Sequence, residues 1–370
     1  MERVDGGLGT APRQPQWLRV PRDDPGCIRL GGDELAKNVT IKDVAALAGV
    51  SIGTVSNYIN GTKTVAEATR ERIDRAIEET RFVPNRAVRT LRGNRTHTLG
   101  LLVPDAANPY FTEIARGVED VARSRGFVLV YCDTAGDPVR QGVYVRNLAE
   151  MRAGGLIIAS ATAEPPDLGD LESIGTPIVV LGHEGMALTS SAVIVDQHRG
   201  GFLAMKHLLD LGHRRVLFAG GPGGDLVLKA RYEGAMLAIE AAGEDPALLQ
   251  RADAGGRTIR ERSELADLIT AMQPRPTAVL CGNDMIAIAI VNKLIRDGWS
   301  VPGDIAVVGY DDIGEAQLAV VPLTTIRQPA HDIGESAARL LFETADDPSR
   351  PHRQVTFTPE LVVRASTIPR

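Results

Sequence analysis

The chain has 370 residues, 44% hydrophobic and 24% charged, with a formal net charge of −6. That length accommodates two or three domains around a sizeable core, and no apolar run approaches the roughly 20 residues needed to cross a bilayer. Cys27, Cys132 and Cys281 lie far apart with no C-x-x-C pair, a pattern that argues against a disulfide framework or a cysteine-based metal site and fits a reducing cytoplasm.

Residues 1–37 are rich in Gly, Pro, Arg and Asp without sustained periodicity and read as a disordered extension. They contain no apolar h-region and so do not read as a secretory signal. The stretch TIKDVAALAGVSIGTVSNYIN (40–60) follows. Its apolar positions Ile41, Val44, Ala45, Leu47, Ala48, Val50, Val55 and Ile59 keep helical spacing, broken once at Gly49. Thr40 with Asp43 predicts a capping box, Gly49 a left-handed turn and Ser51 the cap of a second helix. Two short helices across a glycine turn are a helix-turn-helix unit or a helical hairpin of another fold; the pattern alone fits both.

VAEATRERIDRAIEETRF (65–82) predicts a third helix with Ala68, Ile73, Ala76 and Ile77 inward and Thr64 and Glu67 as caps. Such a three-helix unit is marginal by size. Val83-Pro84-Asn85 breaks it, and residues 86–93 are a short fourth helix or a basic linker carrying Arg86, Arg89 and Arg92. Between Lys37 and Thr96 eleven Lys/Arg face six Asp/Glu, a local +5 that leaves −11 on the rest. A basic segment on an acidic body is the asymmetry expected when one domain meets phosphate and the other does not.

From Thr98 the pattern changes to strand and helix in alternation. Strands are predicted at 99–105, 127–133, 155–160, 177–182, 192–196, 215–221, 277–284 and 305–312, and helices at 109–125, 137–152, 200–212, 226–242, 258–272, 284–297 and 330–344. Continuously apolar, β-branched strands imply burial on both faces, as in parallel sheets. The alternation implies a doubly wound α/β architecture, and eight or more strands suit two sheets better than one. Ligands of such folds bind at the carboxyl ends of the strands.

Enzymatic motifs fail in detail. The glycine-rich Gly220–Asp225 stretch has Leu226 where a dinucleotide fingerprint needs glycine and lacks the G-K-[ST] of a P-loop. His183-Glu184 is followed by Ala187 where a zinc protease needs its second histidine, and no G-x-S-x-G elbow occurs. No enzyme activity, metal or cofactor is expected.

The order of parts resembles the lactose-repressor (LacI) family of bacterial transcription regulators from Val39 to about Thr367. The resemblance runs through residues 40–60, ETRFVPNRAVRTLRG (79–93), NPYF (108–111), GLII (155–158), HLLDLGHRRV (207–216), LCGNDMIAI (280–288), VVGYDD (307–312) and LTTIRQP (323–329). It implies a helix-turn-helix headpiece at 38–84, a hinge helix at 85–96, and a periplasmic-binding-protein-like bilobed α/β body at 97–370. The N-subdomain is expected at about 97–195 and 324–353, the C-subdomain at about 196–323 and 354–368.

The resemblance also implies roles. Ile52 to Ile59 would be the recognition helix, with Ile52, Gly53 and Asn57 at base-reading positions and Ser51, Thr54, Ser56 and Asn60 on phosphates. Asn57 has the chemistry to pair with an adenine edge, worth about 1–3 kcal/mol of discrimination. Asn85, Val88, Leu91 and Arg92 would act from the hinge, Leu91 as an apolar wedge in the minor groove. Tyr110, Phe111, Arg231 and Asp284 would hold a small-molecule effector, a sugar by family default. Gly182, Asp225, Val227 and Ala254 depart from the family's ligand-binding pattern and point to an atypical or lost ligand. The expected function is a cytoplasmic, ligand-responsive repressor that binds a pseudo-palindromic double-stranded DNA operator and has no membrane partner. No leucine heptads of the kind that tetramerise some relatives follow the last strand, so a homodimer is expected. A cytoplasmic small-molecule sensor with altered or lost ligand control is the alternative.

Overall fold

The computed structural model describes residues 39–60, 63–82, 95–159, 168–183, 190–220, 225–253 and 258–368. The chain divides into two compact units, Met1–Asn85 and Arg86–Arg370.

In the first unit α1 (Ile41–Ala48) starts on the expected capping box: the Thr40 amide donates to Asp43 Oδ2 at 2.8 Å. Gly49 turns left-handed with φ 61°, the region where a Cβ is disfavoured, and the Val50 amide returns to the Ala45 carbonyl at 3.0 Å. Ser51 Oγ then accepts the Thr54 amide at 3.0 Å, capping α2 (Ile52–Asn60) as the sequence predicts. α3 (Glu67–Thr80) differs at its start. Ala66 occupies the N-cap with no side-chain bond, so Thr64 does not cap it. The reason is packing: Val65 joins the apolar seam, and the chain stays extended through Ala66 before turning. For the same reason Ala68, expected inward, is exposed. The seam consists of Val44, Ala45, Ala48, Val55, Ile73 and Ala76, with Val65, Tyr58 and Phe82 against it.

The second unit alternates strand and helix. Its first half runs β1 (Thr98–Val103), α4 (Pro109–Ser124), β2 (Val128–Asp133), α5 (Pro138–Glu150), β3 (Gly155–Ala159), α6 (Gly169–Ser173), β4 (Ile178–His183) and β5 (Ser191–Val195). The chain continues through α7 (Gln197–Asp210), β6 (Val216–Gly220), α8 (Leu226–Ala241), β7 (Leu249–Asp253), α9 (Ile259–Ala271), β8 (Ala278–Cys281) and α10 (Asp284–Arg296). It ends with β9 (Ala306–Asp311), α11 (Gly314–Leu318), β10 (Thr324–Arg327), α12 (Ala330–Asp346), β11 (Gln354–Phe357) and β12 (Glu360–Val362). Two six-stranded sheets result, in the orders β11-β5-β4-β3-β1-β2 and β12-β10-β9-β8-β6-β7. All pairings are parallel except β10 with β12. Central strands such as β5, β6 and β9 are buried along their whole length, as their unbroken apolar runs require.

The expected subdomain boundaries are corrected at two crossings. Residues 324–327 pair in parallel with β9 and belong to the C-lobe, and residues 354–357 pair in parallel with β5 and belong to the N-lobe. The chain therefore passes between lobes after β5, near Gln328-Pro329 and between β11 and β12, about four residues later than expected at the last two. Sheet membership is decided by which neighbour completes the hydrogen-bond ladder, and loop composition does not encode it. Among the described residues no helix is long and apolar enough to cross a membrane.

Candidate functional site

Two regions collect the polar residues singled out by the sequence. In the headpiece, Val55 is fully buried and pins α2 to the seam. Helical geometry then turns Gly53 and Asn57 toward the opposite side and Ser56 to the flank, while Ser51 and Ile52 lie at the open start of the helix, above Val55. Ser51 and Gly53 are exposed, Ile52 keeps 45% of its surface, and Thr54, Ser56 and Asn57 are half-buried. Ile52 is not alone in this: Leu47 on α1 keeps 52% of its surface. Tyr58 ties α2 to α3 by donating to Asp74 Oδ1, and that bond is the main cause of its raised phenol pKa. Asn60 ends the helix, and its side chain lies outside the described residues, as do Asn85, Val88, Leu91 and Arg92.

In the body, the carboxyl ends of strands from both sheets and the starts of α4, α7, α8 and α10 converge on a cavity of about 180 Å³. The starts are fixed by short polar caps: Asn108 accepts the Tyr110 amide, Asp225 those of Val227 and Leu228, and Asn283 that of Ile286. Asn108, Asp225 and Asn283 also line the cavity. Capping and ligand presentation are one arrangement here, because a helix start at a strand end carries its cap residue to the sheet edge.

Arg231, 6% exposed, is the hub. Its Nε donates to Gln197 Oε1 at 2.8 Å and a terminal nitrogen donates to the Gly282 carbonyl at 2.5 Å. The other terminal nitrogen lies 3.6 Å from Asp311 Oδ1, and the guanidinium stacks 3.5 Å from the Tyr310 ring centroid. Gln328 Nε2 donates to Asp311 at 2.7 Å, while its Oε1 accepts from Gln197 at 3.1 Å and from the Tyr110 hydroxyl at 3.4 Å. Phe111 meets Tyr110 edge-on at 5.1 Å between centroids. Tyr110, Phe111 and Arg231 thus line the cavity together, and so do the family departures Gly182, Asp225 and Val227. Ala254 lies outside the described residues.

Asp284 is placed differently from the expectation. It is completely buried and does not line the cavity. Thr325 Oγ1 donates to its Oδ1 at 2.6 Å and the Ile313 amide to its Oδ2 at 3.0 Å. Gly309 makes room for it: a Cβ there would lie 2.0 Å from Asp284 Oδ1. What Asp284 holds is the corner after β9, where Asp311 and Asp312 both take positive φ, 110° and 58°. Such a conformation in consecutive non-glycine residues is strained and persists only when its surroundings fasten it. The corner turns Asp311, rather than Asp284, into the cavity. Asp311, Gln197, Gln328, Asn283, Asp105 and Arg262 are the lining residues sequence reasoning missed. The available signal was the strand-end position of Asp311, Gln328 and Asn283 within GYDD, IRQP and CGND, and of Asp105 and Gln197 just after β1 and β5; Arg262, inside α9, carried none.

Burial drives the Asp311 carboxyl up to about 6, against the opposing pull of Arg231, Asn108 and Gln328. Burial also raises the Tyr110 phenol, which stays protonated and donating. Because the folded pKa of Asp311 lies above the usual 3.8, the folded protein binds a proton more tightly than the unfolded chain. Its protonation contributes stability that is fully present below about pH 4 and lost as pH rises through about 6, up to ~3 kcal/mol. Urea unfolding across this window should therefore show a falling component that Asp311→Asn removes; identical slopes for both proteins would refute the assignment.

A helix-turn-helix unit followed in the chain by a bilobed body with a polar cleft defines a DNA-binding regulator with a ligand-binding domain. Residues 40–85 match the model of bacterial regulatory proteins of the lacI family, and residues 205–367 match a periplasmic binding protein-like domain. The chain is 37% identical over 331 residues to the HTH-type transcriptional repressor PurR of Vibrio parahaemolyticus, covering 88% of this chain and 97% of that protein. It therefore belongs to the LacI family, as a transcriptional repressor and not an enzyme. A CelR–cellobiose complex matches 89% of this chain and 99% of its own, with 32% identity and a TM-score of 0.65. The lac repressor dimer bound to operator and the anti-inducer ONPF matches 90% and 100%, with 26% identity and a TM-score of 0.77.

Proposed function

We propose that the chain is a homodimeric, cytoplasmic repressor that binds a pseudo-palindromic operator and responds to a small polar metabolite in the cleft. The carrying observation is the buried Arg231–Asp311–Gln328–Gln197 network, which offers fixed donors and acceptors at the edge of a cavity. Those groups suit a compact ligand with several hydroxyl or amide groups, and the CelR relative holds cellobiose. Sugar remains the first candidate class, and Gly182 and Val227 offer fewer polar contacts than a typical sugar site of the family. Asp284 enters this reading as the support of the corner that carries Asp311.

The dimer reading draws support from exposed apolar side chains on one helix and one edge strand of the N-lobe. Val139, 77% exposed, and Val143 one turn later stand on α5, and Val128 and Tyr131 are exposed on the edge strand β2. Val139 and Val143, one turn apart on the same helix face, offer an apolar contact to a second copy, and the lac repressor relative is a dimer on its operator. Paired headpieces impose two half-sites, and phosphate contacts make affinity fall steeply with salt. Effector and operator act on one equilibrium between lobe arrangements, so each changes the affinity of the other.

The test is a gel shift with the gene's own upstream region, combined with a thermal-shift screen of sugars, nucleosides and polyols. A bound ligand raises the melting temperature and shifts operator affinity; a protein that retards no DNA at low salt would overturn the reading. Within it, Leu91→Ala is expected to weaken specific operator binding far more than nonspecific binding, because only the specific complex has a base step for the wedge. Equal losses on both DNAs would sink the wedge.

A further inference from the structure

Arg262 and Asp105 face one another from different lobes. Asp105 follows β1 of the N-lobe, and Arg262 lies in the second turn of α9 in the C-lobe. Arg262 donates to Asp105 Oδ2 at 3.0 Å, both residues line the cavity, and Arg262 is only 5% exposed. We propose that Arg262 is a positioning residue of the cleft: its ion pair with Asp105 holds the lobes closed and keeps Asn108 and Tyr110 within reach of Asp311 and Gln328.

Both ends of the pair are anchored, so it senses lobe separation and not side-chain drift. Asp105 Oδ1 accepts the Ala107 amide at 3.0 Å, which fixes the carboxylate in its turn. The start of α9 is set by the Thr258–Glu261 capping box, and Leu265, Ala266 and Ile269 pack it into the C-lobe core. Among the described residues this is the only ion pair that joins the two lobes. Two other polar links cross the cleft, Asn108 to Asp311 and Tyr110 to Gln328, each at 3.4 Å, the outer limit of a hydrogen bond. Neither has charges on both sides, and both shorten or break with small lobe movements.

Burial gives the pair its direction. In the closed arrangement Arg262 has left water, and the Asp105 carboxylate offsets that loss. If Asp105 is neutralised, the closed state keeps a buried guanidinium without a counter-ion, whereas in an open cleft water solvates it. Closing is then disfavoured. Neutralising Arg262 removes the attraction but leaves the more accessible partner, so its effect is smaller. The site faces the cavity on both sides, so a ligand seated there is enclosed by the same contact that closes the lobes.

The test needs neither effector nor operator, so its outcome is independent of the functional proposal above. In the full-length protein carrying Cys27→Ser, spin labels are placed through Arg123→Cys on α4 and Glu240→Cys on α8, both exposed; Cys132 and Cys281 are buried. Labelled protein is diluted into unlabelled protein so that any dimer carries one labelled protomer, and inter-lobe distances are read by pulsed electron resonance. The ligand-free parent is expected to give one short distance. Asp105→Asn, which keeps the turn to Ala107, should add a longer component, Arg262→Gln a smaller one, and Arg262→Lys less than Gln. The double variant should be no more open than Asp105→Asn, since the pair is already broken. Distance distributions that superimpose on the parent in variants with parental melting curves would overturn the proposal, and so would additive opening in the double variant. If Asp105→Asn fails to fold, Arg262→Gln is compared with the parent in its place. An unchanged distance distribution there also counts against the pair.

Discussion

Arg231→Leu is expected to destabilise the body by about 3–5 kcal/mol and to abolish the response of operator binding to effector. The magnitude follows from what the substitution leaves behind. Asp311 loses the cation 3.6 Å away, the Gly282 carbonyl loses a donor and Gln197 loses its partner. An uncompensated buried carboxylate costs more than the pair it came from contributes, because desolvation is no longer offset. The pH dependence gives the argument a second handle. Arg231 depresses the Asp311 pKa, so its removal pushes that pKa above about 6, and the variant should recover part of its loss as pH is lowered and Asp311 protonates. Arg231→Lys should retain part of the stability, since it keeps a charge, but not the effector response. An ammonium cannot reproduce the planar fork that reaches Gln197, Gly282 and Asp311 together. Urea unfolding at pH 5 and pH 8, with calorimetry against any hit from the ligand screen, reads both effects. A stability loss independent of pH would mean that Asp311 does not feel Arg231.

Ile73→Ala is expected to unfold the headpiece while leaving the body intact. Ile73 is fully buried at the centre of the three-helix seam. Truncating a buried isoleucine to alanine costs about 2–5 kcal/mol. A unit of this size holds rarely more than ~3–5 kcal/mol in total, so the loss removes most or all of its stability. Nuclear magnetic resonance of the full chain should then lose the dispersed headpiece signals. Operator binding should fall to the nonspecific level, and the melting temperature of the body should not move. Survival of specific binding at parental affinity would show that DNA contacts supply the folding free energy that the seam has lost. That outcome would contradict the independence of the seam assumed here. The contrast between the two variants separates the reading unit from the sensing unit, which one substitution in a shared core could not do.

Local chemistry explains why the headpiece was legible so early. Capping residues, a left-handed glycine and 3.6-residue periodicity act within a turn or two of their own position. Thr40, Gly49 and Ser51 behave as their residue types dictate. Thr64 failed as a cap because a non-local preference, the burial of Val65, outweighed it. The body shows the same division. All eight strands expected from continuous apolar runs are present. The four that were not expected, β7, β10, β11 and β12, are short and carry polar residues, as in LQRAD, TTIR, QVTF and ELV. Three of these are edge strands, β10 lies next to an edge, and β10, β11 and β12 flank the places where the chain changes lobe. Their identity comes from the neighbour they pair with, and no periodicity announces that.

The cleft divides along the same line. Tyr110 and Phe111 were legible from NPYF and Arg231 from the position it shares with the family, and all three line the cavity. Asp284 and Asp311 were not distinguishable by sequence, since each is an acidic residue at a strand end in a strong motif. The strained corner at Asp311-Asp312, the notch at Gly309 and the two bonds received by Asp284 assign one carboxylate to support and the other to the cavity. By itself the sequence determined the order of parts, the family, the two helices of the helix-turn-helix unit and most of the secondary structure, because those follow from interactions a few residues long. Only the tertiary structure decided which lobe owns 324–327 and 354–357, which aspartate faces the cleft, and that Arg262 meets Asp105. Those outcomes depend on residues up to about two hundred positions apart, brought together by sheets whose closing partners no local pattern names.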